Sequence, residues 1–167
     1  AFICTQDLKD ESYINNHYVI MCTKKGQVKK TSLEQYSRPR SNGINAITIR
    51  DDDELLEAKL TTGNSQVLIS VKSGKCIRFE EGKTRPMGRN ASGVRGIKLK
   101  DSSDEVVGMI SVNDMDSDIL VVSENGYGKR SSLEDYRITN RGGMGVKTIS
   151  ITEKTGSLVS IKNVSDG

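Results

Sequence analysis

The chain has no tryptophan, two phenylalanines, five tyrosines and two prolines. Any interior must therefore be built from Ile, Val, Leu and Met, and the aromatic platforms that stack unpaired bases are scarce. His17, the one histidine, sits in the polar stretch Asn15-Asn16-His17. That excludes a histidine-based metal centre and leaves a serine or cysteine nucleophile only one candidate base, so a loop histidine is the plainer reading. Cys4, Cys22 and Cys76 are widely spaced, form no Cys-x-x-Cys pair and lie among apolar residues. They suggest three buried, reduced thiols instead of a disulfide framework or zinc site. No apolar run approaches the ~18 residues of a membrane helix, and no charged-then-apolar leader or lipidation signal is visible. A soluble, cytoplasmic protein with no membrane partner is expected. The acidic runs Asp51-Asp52-Asp53-Glu54 and Asp114, Asp116, Asp118 do not follow EF-hand order, and the glycines do not follow phosphate-loop order. Catalytic residues, a metal and a cofactor are all expected to be absent.

What the sequence does have is glycine, sixteen of them, set between short apolar runs. Three segments repeat: Tyr18-Val-Ile-Met-Cys-Thr-Lys-Lys-Gly26, Gln66-Val-Leu-Ile-Ser-Val-Lys-Ser-Gly74 and Asp118-Ile-Leu-Val-Val-Ser-Glu-Asn-Gly126. In each, an apolar run enters a two-residue hairpin turn ending in glycine, and a shorter run leaves it. Gly26, Gly74 and Gly126 are 48 and 52 residues apart. A second landmark follows each: Gly43-Ile44-Asn-Ala-Ile47, Gly93-Val94-Arg-Gly-Ile97 and Gly145-Val146-Lys-Thr-Ile149, a glycine and then the alternation of a half-buried strand. A polar turn leads to a fourth run at Leu55-Leu56, Val106-Val107 and Leu158-Val159. Residues 33–36 and 133–136 read as single helical turns. Four short strands at an interval near fifty predict an all-β, propeller-like array of about three blades. The frame divides the chain into 1–14, the last strand and linker of a preceding blade, with residues 1–5 as that strand, then blades at 15–62, 63–113 and 114–167. Three blades are expected to form an open arc.

The net charge is only +3, but its distribution is segregated. Residues 24–50 hold seven basic residues against Glu34, and residues 72–100 hold nine against Glu80 and Glu81; an acidic turn follows each run. Lys30, Arg78 and Arg130 each lie four residues after a hairpin glycine, with Lys29 and Lys129 one earlier. Arg85 and Arg137 lie eleven after it, Arg89 and Arg141 fifteen after it, and Arg38 and Arg40 occupy the matching loop of the first unit. Arg95 and Lys147 follow the second landmark glycines. Equivalent positions fall on equivalent edges of successive blades, so these thirteen residues predict a curved basic belt suited to a duplex phosphate backbone.

The motifs Gly26-Gln-Val-Lys-Lys-Thr31, Met87-Gly-Arg-Asn-Ala-Ser-Gly-Val-Arg-Gly-Ile97 and Asn125-Gly-Tyr-Gly-Lys-Arg130 resemble, in order and over nearly the whole chain, the C-terminal domain of the A subunit of bacterial DNA gyrase, a type IIA topoisomerase. The resemblance implies a β-pinwheel whose four-stranded antiparallel blades exchange strands with their neighbours. It also implies a basic outer rim that wraps double-stranded DNA. The intact ATP-dependent heterotetramer, completed by the B subunit, then introduces negative supercoils. The cleaving tyrosine, metal site and ATPase of that family lie elsewhere, so the chain is expected to be non-catalytic. Its units are most similar to blades two to four. The family's wrapping box, Gln-Arg-Arg-Gly-Gly-Lys-Gly, is missing from them; Arg141-Gly142-Gly143-Met144-Gly145 is a partial echo. The alternatives are the corresponding domain of topoisomerase IV, with the same blades, and a protein-binding propeller, which would show an apolar patch on one face.

Overall fold

The computed structural model describes residues 1–165. Along the chain, a short helix α1 (Glu11–Asn15) precedes β1 (Tyr18–Thr23), β2 (Gln27–Ser32), β3 (Leu55–Thr61), β4 (Gln66–Val71), β5 (Lys75–Glu80), β6 (Val94–Arg95), β7 (Val106–Val112), β8 (Asp118–Ser123), β9 (Gly128–Ser132), β10 (Val146–Lys147) and β11 (Leu158–Val164). Single 3-10 turns lie at Leu33–Tyr36, Glu81–Lys83 and Leu133–Asp135. The strands make three antiparallel sheets, ordered β3-β1-β2-β6, β10-β5-β4-β7 and β11-β8-β9. Each blade is a hairpin flanked by the later apolar run of its own unit. β3 packs beside β7 and β7 beside β11, which places these three strands on the inner side of the array and β6 and β10 on the outer edge.

The outer strands belong to the neighbouring repeat. β6, from the second unit, pairs with β2 of the first, setting Val28 opposite Val94 and Gln27 opposite Arg95. β10, from the third unit, pairs with β5 of the second, setting Cys76 opposite Val146 and Lys75 opposite Lys147. The strand expected at residues 43–49 does not form; that stretch is irregular and joins none of the three sheets. Residues 1–5 are also not a strand; they run irregularly beside residues 57–60. Without a strand to bury it Cys4 is exposed, whereas Cys22 and Cys76 are buried. The hairpins differ from the expected two-residue turn: the Gly26 N–H donates to the Thr23 carbonyl across a four-residue turn (3.1 Å). Lys24 and Lys25 thereby keep negative φ, and Gly26 alone takes φ +90°.

Sheet faces pack against each other through side chains of alternate parity. Ile20, Cys22 and Val28 of the first sheet meet Val67, Ile69, Ile77 and Phe79 of the second; Leu68 and Cys76 on the other side meet Ile119, Val121, Leu133 and Tyr136 of the third. Each such fully buried apolar side chain contributes about 1.5–3 kcal/mol. The remaining face of the first sheet, with Val19, Met21 and Leu33, is covered by Ile3, Leu8, Tyr13 and Ile14 of the N-terminal segment. Helix α1 within it is capped by Asp10, whose carboxylate accepts from the N–H groups of Ser12 and Tyr13. His17 closes the segment in a loop, its ring stacked on Tyr13 at 4.2 Å between centroids and its Nδ1 bonded to the Tyr13 carbonyl.

Candidate nucleic-acid interface

The thirteen basic residues separate into two groups. Lys29, Lys30 and Arg78 lie on strands of the stacked blades and are only 1%, 4% and 7% exposed. Lys29 Nζ donates to the carbonyls of Ala46 (2.6 Å) and Arg89. Desolvation, then the charge of Arg89, pushes its pKa from an ordinary 10.5 down to about 8. Lys30 Nζ pairs with the fully buried Glu81 at 3.2 Å and lies 4.5 Å from the centre of the Tyr18 ring. Glu81 also accepts from Thr61 Oγ1 (2.9 Å) and Ser65 Oγ (2.5 Å), which completes its partners. Arg78 Nη1 donates to the carbonyls of Leu133 and Tyr136, both at 2.9 Å, and its Nε to Gln66. Groups so engaged and so buried are corrections to the belt: they hold blades together and present no charge at a surface.

The other residues lie at or near the surface. Arg95 on β6 and Lys147 on β10 occupy the same register position on the outermost strands and are exposed. Arg85 adjoins Pro86, which forms a parallel bridge with Lys30; Arg137 adjoins Ile138, which bridges Arg78 in the same way. The outer edge of the first sheet therefore carries Arg85 and Arg95, and that of the second carries Arg137 and Lys147. All four are exposed, and among the described residues none lies within 4.0 Å of a carboxylate. Arg38 and Arg40 are exposed in the matching loop of the first unit. Lys129 is exposed and donates to the Thr148 carbonyl (3.2 Å), and Arg130 pairs with Asp118 at 2.7 Å. Arg89 is half-buried. Arg141, also half-buried, donates to the carbonyls of Lys83 and Arg95, both at 3.1 Å, so the partial echo of the wrapping box ties two units together. Among the cations outside the positional pattern are Lys75, opposite Lys147, and the exposed Lys98, whose N–H bonds to the Gly143 carbonyl. Lys75 directly follows a hairpin glycine, a position where the other two units have Gln27 and Tyr127.

Blades that repeat about every fifty residues and complete each other's sheets define a propeller-type β module. A sequence profile described as DNA gyrase C-terminal domain, beta-propeller, matches residues 17–62, 72–113 and 117–165. The DNA gyrase A subunit of Staphylococcus epidermidis (strain ATCC 12228 / FDA PCI 1200) is 44% identical over 165 residues, which are 98% of this chain and 18% of that protein. Two solved structures share the fold. The C-terminal domain of DNA topoisomerase IV superposes with a TM-score of 0.84 at 25% identity, covering 90% of this chain and 47% of that one. The DNA gyrase A C-terminal domain gives 0.78 at 28% identity, covering 90% and 50%. The chain belongs to the DNA gyrase C-terminal domain family, and it spans less than a fifth of the length of its curated relative.

Proposed function

We propose that the chain is a non-catalytic DNA-binding module of the gyrase A subunit that bends duplex DNA around its outer edge. The intact cytoplasmic enzyme, with the rest of the A subunit and with the B subunit, then uses ATP to introduce negative supercoils. The observation that carries this reading is the recurrence of exposed cations on successive outer edges, Arg85 with Arg95 and Arg137 with Lys147, none of which pairs with a carboxylate among the described residues. Cations repeated along stacked sheets meet successive phosphates of one duplex without reading bases, and their contacts offset the several kcal/mol that bending demands. The topoisomerase IV reading draws on the higher TM-score of that neighbour, but the 44% identity over nearly the whole chain favours gyrase.

Binding to a linear duplex of roughly 40 base pairs across a salt series tests the proposal, each phosphate contact contributing about 0.9 to the logarithmic salt slope. Steep, sequence-indifferent loss of affinity with salt is the expected result. A chain that stays unbound at low salt, or that binds with no salt dependence, would overturn it.

A further inference from the structure

The cations that left the surface recur just as regularly as those that remain. Lys30 and Arg78 each grip the following blade twice. Lys30 Nζ holds Glu81, and the Lys30 carbonyl accepts from the Met87 N–H at 2.7 Å. Arg78 Nη1 holds the carbonyls of Leu133 and Tyr136, and the Arg78 carbonyl accepts from the Thr139 N–H at 2.8 Å. Between the first two anchors lies Arg85; between the second two lies Arg137. Each clamp thus spans the short segment, 81–87 or 133–139, that carries the exposed arginine of the outer edge. The chemistry of the clamps differs, an ion pair in one and a guanidinium on carbonyls in the other, while the backbone anchor and its parallel bridge recur at equivalent positions. Leu33 and Leu133 are buried at the position where the second unit has Glu81, so an apolar residue fits that position of the fold.

We infer that Lys30 and Arg78 are positioning residues that preorganise Arg85 and Arg137 for phosphate contact and do not themselves touch DNA. An arginine on a segment fixed at both ends loses less freedom on binding than one on a free loop, so the clamp acts on affinity through its neighbour. The inference rests on the DNA-binding reading, and its test has one arm that needs no DNA.

In the chain as it stands, Arg78→Met is compared with Arg137→Ala, the double variant, and Arg78→Lys. Arg137→Ala is expected to lower affinity for a random-sequence duplex about tenfold and the salt slope by about one. Arg78→Met should reproduce most of that loss, and the double variant should be no weaker than Arg137→Ala alone. Arg78→Lys, which keeps the charge but lacks the planar guanidinium fork, should fall between. Amide exchange supplies the second arm: Arg78→Met should accelerate exchange at Thr139 and its neighbours while the Val67 and Ile69 amides keep their protection. Losses that multiply in the double variant, with a slope lowered by two, would mean that Arg78 contacts phosphate directly. Unchanged exchange at Thr139 would remove the clamp itself. A wild-type chain that fails to bind duplex while the exchange result holds would sink the DNA reading and leave the clamp. For the other copy, Lys30→Met combined with Glu81→Leu replaces the pair by apolar groups and should weaken binding to the level of Arg85→Ala; an unweakened, folded double variant overturns the inference there.

Discussion

Lys29 shows how a single side chain responds to being enclosed between blades. Its ammonium is 1% exposed and, among the described residues, meets two carbonyls and no carboxylate, with the charge of Arg89 nearby. The charged form is therefore disfavoured in the folded state, where the pKa lies near 8 against an ordinary 10.5. Below pH 8 both folded and unfolded states are protonated and folding carries the whole cost of enclosing the charge. As pH rises from about 8 towards 10, the folded state releases its proton while the unfolded state keeps it, so this residue's contribution becomes more favourable. Above that range burial of the Tyr36 and Tyr136 phenols, which raises their pKa values, works in the opposite direction. The expected outcome is a melting temperature that rises between pH 7.5 and 9.5 relative to that of Lys29→Met, which has no ammonium to titrate there. Parallel curves for the two proteins would show that burial leaves the Lys29 pKa at its ordinary value. At neutral pH the variant also loses two donors, at a cost of about 1–3 kcal/mol for carbonyls left unpaired.

At the scale of the strand, the decisive event is the transfer of β6 and β10 to a neighbour's sheet. The glycine before each makes that transfer possible. A Cβ on Gly93 would stand 2.5 Å from the Val28 carbonyl oxygen, and one on Gly145 would stand 2.3 Å from that of Cys76, with φ at +95° and +75°. Gly43 shares the positive φ but would meet nothing within 4 Å. Gly93→Ala and Gly145→Ala should therefore each destabilise by about 2–4 kcal/mol, and Gly43→Ala by about 1 kcal/mol, since only the first two add a backbone collision to the unfavourable φ. Denaturant titration of the three variants decides it; equal losses would mean that conformation alone matters. The same elements show what periodicity can and cannot reveal. The glycine intervals and apolar runs locate the hairpins and β3, β7 and β11, because those pairings are local or obvious from burial. Whose sheet β6 and β10 join is a long-range choice that alternation along one strand does not encode; it came from the family resemblance. The cations of β2 and β5 were misplaced for a related reason. In β2 the run Val28, Lys29, Lys30 and Thr31 is buried throughout, because the second sheet covers one face of the first and the N-terminal segment covers the other. Positional recurrence set Lys30 and Arg78 at matching bridges, yet it could not tell an interface from an edge.

For the whole molecule, the modest net charge conceals a division of labour among equivalent positions. Cations at the interfaces are compensated or satisfied by carbonyls, and those at the outer edges are left to solvent, so the charge available to a partner is concentrated where the blades end. Two edges acting on one duplex should bind it as a unit. Replacing Arg85 and Arg95 by alanine, or Arg137 and Lys147, should in either case lower the salt slope by about two, and all four together by about four. A short duplex should saturate at one molecule per chain, because both edges engage the same backbone. These substitutions leave the clamps and the interfaces intact, so melting temperatures should stay close to wild type, as expected for exposed positions away from packed contacts. Calorimetric titration gives stoichiometry and affinity together. Two duplexes per chain, or a silent pair, would mean that the edges act separately, and bending by a shared path around them would then have no physical basis.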